Sequence, residues 1–391
     1  MTQSREQWRV RFAGIFCLVL AVVLAYRWQS IFYRVCTGEI FSDVPLHIEL
    51  ALGGNDYGLA SFIIHALYAS GDERFAQAGL SICMTASDLM LLATLWLLLR
   101  RLLPRLNGWY LMLAAELALL CGPWIIPGYQ TSIYITAHNG NLYHNMTVLF
   151  SRVFVPLCFL FFFDCWDARH ERIPLRPWLL FTLSFFLATF FKPNFAFAFI
   201  PLFAVLLLWE LVKHKGRYLK NEVVLGCMVL PAGLICLWQY SVLFDESFAG
   251  TSSQVALRLY LAAELLAVLV MFIRSLLLPI YTLSLQGPRE ESRRHIWLIV
   301  LTDAVAILEA MFITETGYRA TDGNFDWGGL AIYPVIFALS IALLFRMIQE
   351  ADLKKPGDIL KCLAGVGLLL GHLATGVYFL RWTFFGGDYF L

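Results

Sequence analysis

Charge is scarce in this sequence. Lys, Arg, Asp and Glu make up 15% of the 391 residues, and apolar residues make up 60%, against roughly 25% and 45–50% in a water-soluble globular chain. With a mean hydropathy of +0.70, water is excluded as the only solvent. The 29 basic and 28 acidic residues nearly cancel, to a net charge of +1. No long basic stripe is present, which sets nucleic acid aside as a partner. No glycine-rich phosphate loop occurs, which argues against a bound nucleotide sugar. The nine Cys have neither the spacing of a zinc knuckle nor the density of a disulfide framework. Cys17, Cys83, Cys121, Cys158, Cys165, Cys227, Cys236 and Cys362 lie in or beside apolar runs and read as small apolar residues. A separate soluble domain is also missing: the longest polar stretch is about forty residues, below the size that usually folds alone.

What is abundant is apolar and aromatic: 32 Phe, 16 Tyr and 12 Trp, which suit a bilayer core and its headgroup belt. A membrane helix needs about 20 mainly apolar residues. Such segments fall near 12–33, 80–99, 108–126, 146–165, 177–191, 195–213, 223–243, 257–284, 296–314, 329–347 and 358–381. The expected fold is therefore an all-α polytopic membrane protein of about eleven transmembrane helices in one domain. Residues 1–33 form the N-terminal tail and first span, 34–79 the first outer loop, and 80–391 the remaining spans. The first span follows Arg5, Arg9 and Arg11 as a signal peptide would, but it is long enough to span and no small-residue cleavage site follows, so it reads as uncleaved. Lys192-Pro193-Asn194 breaks the long apolar stretch between the fifth and sixth spans.

Basic residues orient the spans. With eleven of them, Arg5, Arg9 and Arg11, then Arg100, Arg101 and Arg105, then Arg169, Arg172 and Arg176, fall on one side. Lys213 to Lys220, Arg289 to Arg294, and Arg346 with Lys354 and Lys355 join them there. That side is expected to be cytoplasmic, with the N-terminus inside, the C-terminus outside, and a bacterial inner (plasma) membrane as the setting.

The opposite loops carry the chemistry. The first contains Ser42-Asp43-Val-Pro45-Leu-His47. Asp43 is a candidate base or divalent-cation ligand, and His47 shares its face if the segment is helical; Ser42 and Asp43 also suit the cap of a helix starting near Pro45. Further along, residues 59–68 form a short apolar run expected to be an amphipathic helix lying at the outer interface. The second loop offers Tyr129, His138, Asn139, Asn141 and His144, whose amides and rings suit sugars or, equally, an ordinary interface. Asn145-Met-Thr147 matches a glycosylation sequon, taken as coincidence at a membrane boundary. Arg152, one to two turns inside the fourth span, is costly there and suits a phosphate clamp near the outer face. Lys192 complements a lipid phosphate, with Asn194 beside it. The last large loop holds Glu315, Arg319, Asp322, Asn324, Asp326 and Trp327, a set suited to phosphate and sugar contacts.

A first span, a long outer loop with an early acidic residue, an interfacial helix and many further spans together resemble the GT-C superfamily of integral membrane glycosyltransferases. Ser42-Asp43-Val-Pro-Leu-His47 is similar to the first-loop acidic motif, and Lys192-Pro-Asn194 and the 315–327 loop are similar to segments of bacterial members. The resemblance implies a polyprenyl-phosphate-linked sugar as donor and a glycan, lipid or protein acceptor on the outer face. It implies Asp43 as base or ligand of a divalent cation such as Mg or Mn, although a single Asp stands where those enzymes carry an acidic pair. A flippase for a lipid-linked glycan, or a glycan polymerase or ligase, are the alternatives; Asp303, Glu309, Glu116 and Glu264 inside spans speak for the flippase.

Overall fold

The computed structural model describes residues 2–54, 56–124, 143–243, 254–286, 290–317 and 323–385. It is 81% helical. The helices are α1 (Thr2–Cys36), α2 (Val44–Leu52), α3 (Leu59–Tyr68), α4 (Glu73–Leu102), α5 (Gly108–Leu120), α6 (Met146–Ser151), α7 (Val155–Asp167), α8 (Leu175–Phe191) and α9 (Asn194–Lys213). There follow α10 (Leu219–Gly226), α11 (Leu230–Leu243), α12 (Ala262–Ser275), α13 (Leu277–Gln286), α14 (Glu290–Phe312), α15 (Trp327–Glu350) and α16 (Pro356–Phe384).

Among the described residues eight helical segments are long and apolar enough to cross a membrane. A ninth candidate, α12 with α13, is bent by 66°. Two more of the expected spans, Gly108–Leu120 and Leu175–Phe191, are apolar helices of 13 and 17 residues, about 20 and 26 Å at 1.5 Å per residue, short of a hydrocarbon core of about 30 Å. The architecture is that of a polytopic helical protein. The outer surface agrees: Phe12, Leu18 and Val22 of α1 are 70, 61 and 69% exposed, an apolar face that lipid rather than water would cover.

At the centre is α15, with 94% of its spanning window buried against α5, α9, α13 and α14. Beside it α7, α8 and α9 repeat Phe at four-residue intervals, which places the rings on one face. Phe162 meets Phe199 at 5.1 Å and Phe203 at 5.4 Å, both nearly edge-on, a favoured aromatic geometry.

The ends of these helices collect at two opposite faces. At one, Arg34 Nη1 donates to Phe384 O (2.7 Å) and Asp43 N–H donates to His144 O (3.1 Å). At the other, Arg101 pairs with Asp164 and Asp167, His295 pairs with Asp167, and Ser292 Oγ donates to Leu102 O.

Several boundaries depart from the sequence expectation. The third span, expected over 108–126, leaves helix after Leu120, because Gly122-Pro123 cannot continue it. The freed backbone is satisfied by α16. Gly122 N–H donates to His372 O (3.0 Å), and His372 Nδ1 bonds Gly122 O (2.7 Å). A carbonyl only accepts, so Nδ1 carries the proton and Nε2 accepts from Leu278 N–H (3.4 Å). Non-helical backbone inside a membrane protein is tolerated where protein groups satisfy it in this way. The approach needs a glycine: a Cβ on Gly376 would lie 1.7 Å from Leu120 O. The eighth and ninth spans, expected over 257–284 and 296–314, give up the start of one and the end of the other to a ribbon, with β1 (Val255–Leu257) antiparallel to β2 (Ile313–Glu315). The chain is thus helical with one two-stranded addition.

Candidate functional site

The 34–72 segment carries two short helices. Pro45 near the start of α2 favours helix initiation there, and Asp43 stands at the N-cap position. Its carboxylate makes no capping bond; Ser42 Oγ accepts from Val44 N–H instead (3.1 Å). Asp43 is left to meet His144 Nε2 at 3.0 Å. Ser42 also donates to His144 O (2.8 Å), so two consecutive residues fix one histidine to the start of α2. The α3 helix forms over the expected residues, burying Ala60, Ser61 and Ile64.

Around Asp43 lie groups from its own helix and from three distant stretches of chain. His47, one turn on, bonds Tyr57 Oη through Nδ1 (2.8 Å). His144 lies nearly parallel to Trp327 (10°, centroids 6.2 Å apart). Lys192, where α8 ends, places Nζ 5.6 Å from the Trp327 ring centroid, within cation–π range. A polar chain continues behind: Asn194 Nδ2 donates to Asn324 O, and Asn324 Nδ2 donates to Glu315 Oε2 (2.5 Å). The turn at Asn324–Asp326 leads directly into Trp327. The expected residues Asp43, His47, His144, Lys192 and Trp327 therefore form one cluster, with Asn194, Asn324 and Glu315 adjoining.

Arg152 is placed elsewhere. It is 1% exposed and paired with Asp88, which is equally buried. Its guanidinium pairs with this carboxylate inside the bundle. Tyr129, His138, Asn139, Asn141, Arg319 and Asp322 lie outside the described residues. Tyr57 and Asp88 were missed as partners. Asp88 had a signal, a carboxylate inside the second apolar run, whereas Tyr57 had none.

Electrostatics distinguish the two acid–base groups. Burial alone would raise the Asp43 carboxyl, but the His144 hydrogen bond and the charges of His144, His47 and Lys192 outweigh it and hold it below its usual 3.8. His47 is pushed down to about 4, first by burial, then by Lys192 and His144, with Asp43 opposing. At neutral pH the cluster thus offers an ionised carboxylate and a neutral imidazole.

A consequence concerns stability. An unfolded His titrates near 6.5, so between there and about 4 the unfolded chain holds a proton that His47 in the fold refuses. Stability should fall as pH drops through that window. Asp43, lowered from 3.8, loses its contribution only below that value, so the two effects separate. Thermal midpoints of the detergent-solubilised protein from pH 7 to pH 4 should decline, and His47→Gln should flatten the decline. An equally steep curve in the variant would assign it to another group.

Mg or Mn at Asp43 finds little support in these contacts. Both ions favour several oxygen donors, whereas the described neighbours of Asp43 are two imidazoles and an ammonium. No protein-family model matches the chain, and no curated protein is similar to it.

Proposed function

We propose that this protein is a membrane glycosyltransferase that moves a sugar from a polyprenyl-phosphate donor to an acceptor hydroxyl at the face bearing Asp43. That face is read as extracytoplasmic, with the basic helix ends in the cytoplasm, and the membrane as a bacterial plasma membrane. The observation that carries the proposal is the convergence of Asp43, His47, His144, Lys192 and Trp327 from four separate stretches of an apolar chain.

Each group has a chemical task. The acceptor hydroxyl attacks the anomeric carbon, its new C–O bond forming as the bond to phosphate oxygen breaks. Asp43 takes the hydroxyl proton, and polyprenyl phosphate leaves with the electron pair. Lys192 neutralises the charge that grows on the phosphate, where electrostatic stabilisation has most to supply. The low basicity of Asp43 fits a late proton transfer, made as the attacking oxygen becomes acidic. His144, pinned by Ser42 and Asp43, orients the carboxylate, and Trp327 presents a ring face to a sugar. The prenyl tail stays in lipid.

The test is reconstitution. Purified protein in liposomes, supplied with a panel of polyprenyl-phosphate sugars and envelope glycan acceptors, should release free polyprenyl phosphate in step with a new glycosidic bond. Carrier movement between leaflets with no bond formed would favour the flippase reading instead. One observation supports that alternative: the Asp88–Arg152 pair, which lies midway along α4, as intramembrane charges of transporters do.

A further inference from the structure

At the face opposite Asp43, three metal-ligating side chains meet that the transfer reaction does not use. His170 comes from the turn between α7 and α8, Glu210 from the last turn of α9, and His214 follows Glu210 by one helical turn. Their donor atoms all lie within 4.8 Å of one another. Glu210 Oε2 is 2.7 Å from His170 Nε2 and 3.4 Å from His214 Nε2. Tetrahedral ligands about 2.0–2.1 Å from a zinc ion stand about 3.3 Å apart, so the two contacts bracket the spacing an ion needs. From Asn194 at the other end of α9, Glu210 is sixteen residues away, about 24 Å.

We propose that His170, Glu210 and His214 form a binding site for a borderline divalent transition ion such as Zn2+, with water completing the coordination. Four features support a built site rather than a chance grouping. Glu210 is buried, 6% exposed, a costly position for a carboxylate unless it is paired or ligating. His214 Nε2 is buried yet has no hydrogen-bond partner, although the carboxylate is within reach; it is a donor atom aimed at the common point. The two rings are held by packing, His170 stacked on Tyr218 (4.3 Å, 25°) and His214 edge-on to it (5.3 Å, 73°), as ligating imidazoles are oriented by their surroundings. The site is reached from water, since the His170 and His214 side chains are 31 and 27% exposed.

Arg169 is the competing cation, with Nε 3.2 Å from the same Glu210 oxygen. It has a second anchorage, donating from Nη1 to Trp166 O (2.9 Å) and lying over the Trp166 ring. A turn of the Glu210 carboxylate gives one oxygen to the ion and the other to Arg169, the usual support for a ligating carboxylate. Two imidazoles select against Mg2+ and Ca2+, which prefer all-oxygen sites. Bound metal would tie the α7–α8 turn to the end of α9.

The experiment uses full-length protein without a polyhistidine tag, stripped with chelator and titrated with Zn2+ and, separately, Co2+. Expected are one ion per chain at micromolar free concentration, a visible Co2+ d–d spectrum of low coordination number, and a thermal midpoint that rises with Zn2+ but not with Mg2+. His170→Asn and His214→Asn should each weaken uptake at least tenfold. If those variants fail to fold, the wild-type Co2+ spectrum and Zn2+ shift stand in their place. Absence of stoichiometric uptake, or uptake unchanged in the double variant, overturns the site and leaves two histidines clamping a carboxylate. Transfer activity at the other face does not enter this readout.

Discussion

Asp43→Asn should lower the rate of sugar transfer about 10²–10⁴-fold or more, the range ascribed to a positioned general base, while leaving the protein folded. The substitution keeps shape and hydrogen bonding but removes the charge that accepts the proton. Folding should survive because the α2 cap is made by Ser42 Oγ, not by the Asp43 carboxylate. The Asp43–His144 contact, weakened by loss of the charge, has an Asp43 side chain that is 36% exposed, where an ion pair contributes little. The measurements are initial rates in liposomes, with the thermal midpoint as control. Full activity in the variant would remove Asp43 from the reaction. A fallen rate with a fallen midpoint would instead mark it as structural. Lys192→Met offers a contrast, since losing the phosphate's counter-charge should slow leaving-group departure while Asp43 remains ionised.

The other large effect lies inside the bundle. Replacing Asp88 with Asn, or Arg152 with Met, should destabilise the protein by about 3–5 kcal/mol, because each breaks a buried ion pair in a medium that solvates charge poorly. Both side chains are 1–2% exposed, so neither can reach water without opening the helices. Asp88→Leu combined with Arg152→Met should recover most of the loss, since an apolar pair of similar volume removes both desolvation penalties. A double-mutant cycle by reversible denaturation in SDS–detergent mixtures gives the coupling energy. Additive losses would show that the two charges are satisfied separately. If transfer also needs the pair, activity should stay low in the stable double variant.

The parts of this molecule visible in the sequence were those set by local chemistry. All eleven apolar stretches contain helix, the α2 start near Pro45 was marked by its cap residues and proline, and α3 formed where a short apolar run stood among polar neighbours. Asp43, His47, His144, Lys192 and Trp327 could be picked out because polar residues at apolar boundaries are costly unless used. That they meet around one carboxylate follows from which helix ends become neighbours, and spacing along the chain does not encode that. Arg152 shows the limit: its position inside a span marked it as engaged, but spacing gave no sign that a carboxylate 64 residues earlier, Asp88, would pair with it. The break at Gly122-Pro123 and the β1–β2 ribbon were hidden because hydropathy averaged over a window blurs a strand or a turn into the apolar run beside it. His170, Glu210 and His214 were obscured by lying among the basic residues that set the topology.

The ring stack of α7, α8 and α9 has a mechanical consequence. Phe159, Phe162, Phe163, Phe181, Phe185, Phe195, Phe199 and Phe203 are at most 2% exposed, and emptying one such position costs about 3–5 kcal/mol. Three helices bound at that cost per ring behave as a solid block, so Lys192 at one end and Glu210 at the other ride on a single stiff beam. Any rearrangement of the bundle falls instead to helices outside that block, such as α12 and α13, which already meet at a 66° elbow, and α16, which turns much of its surface outward.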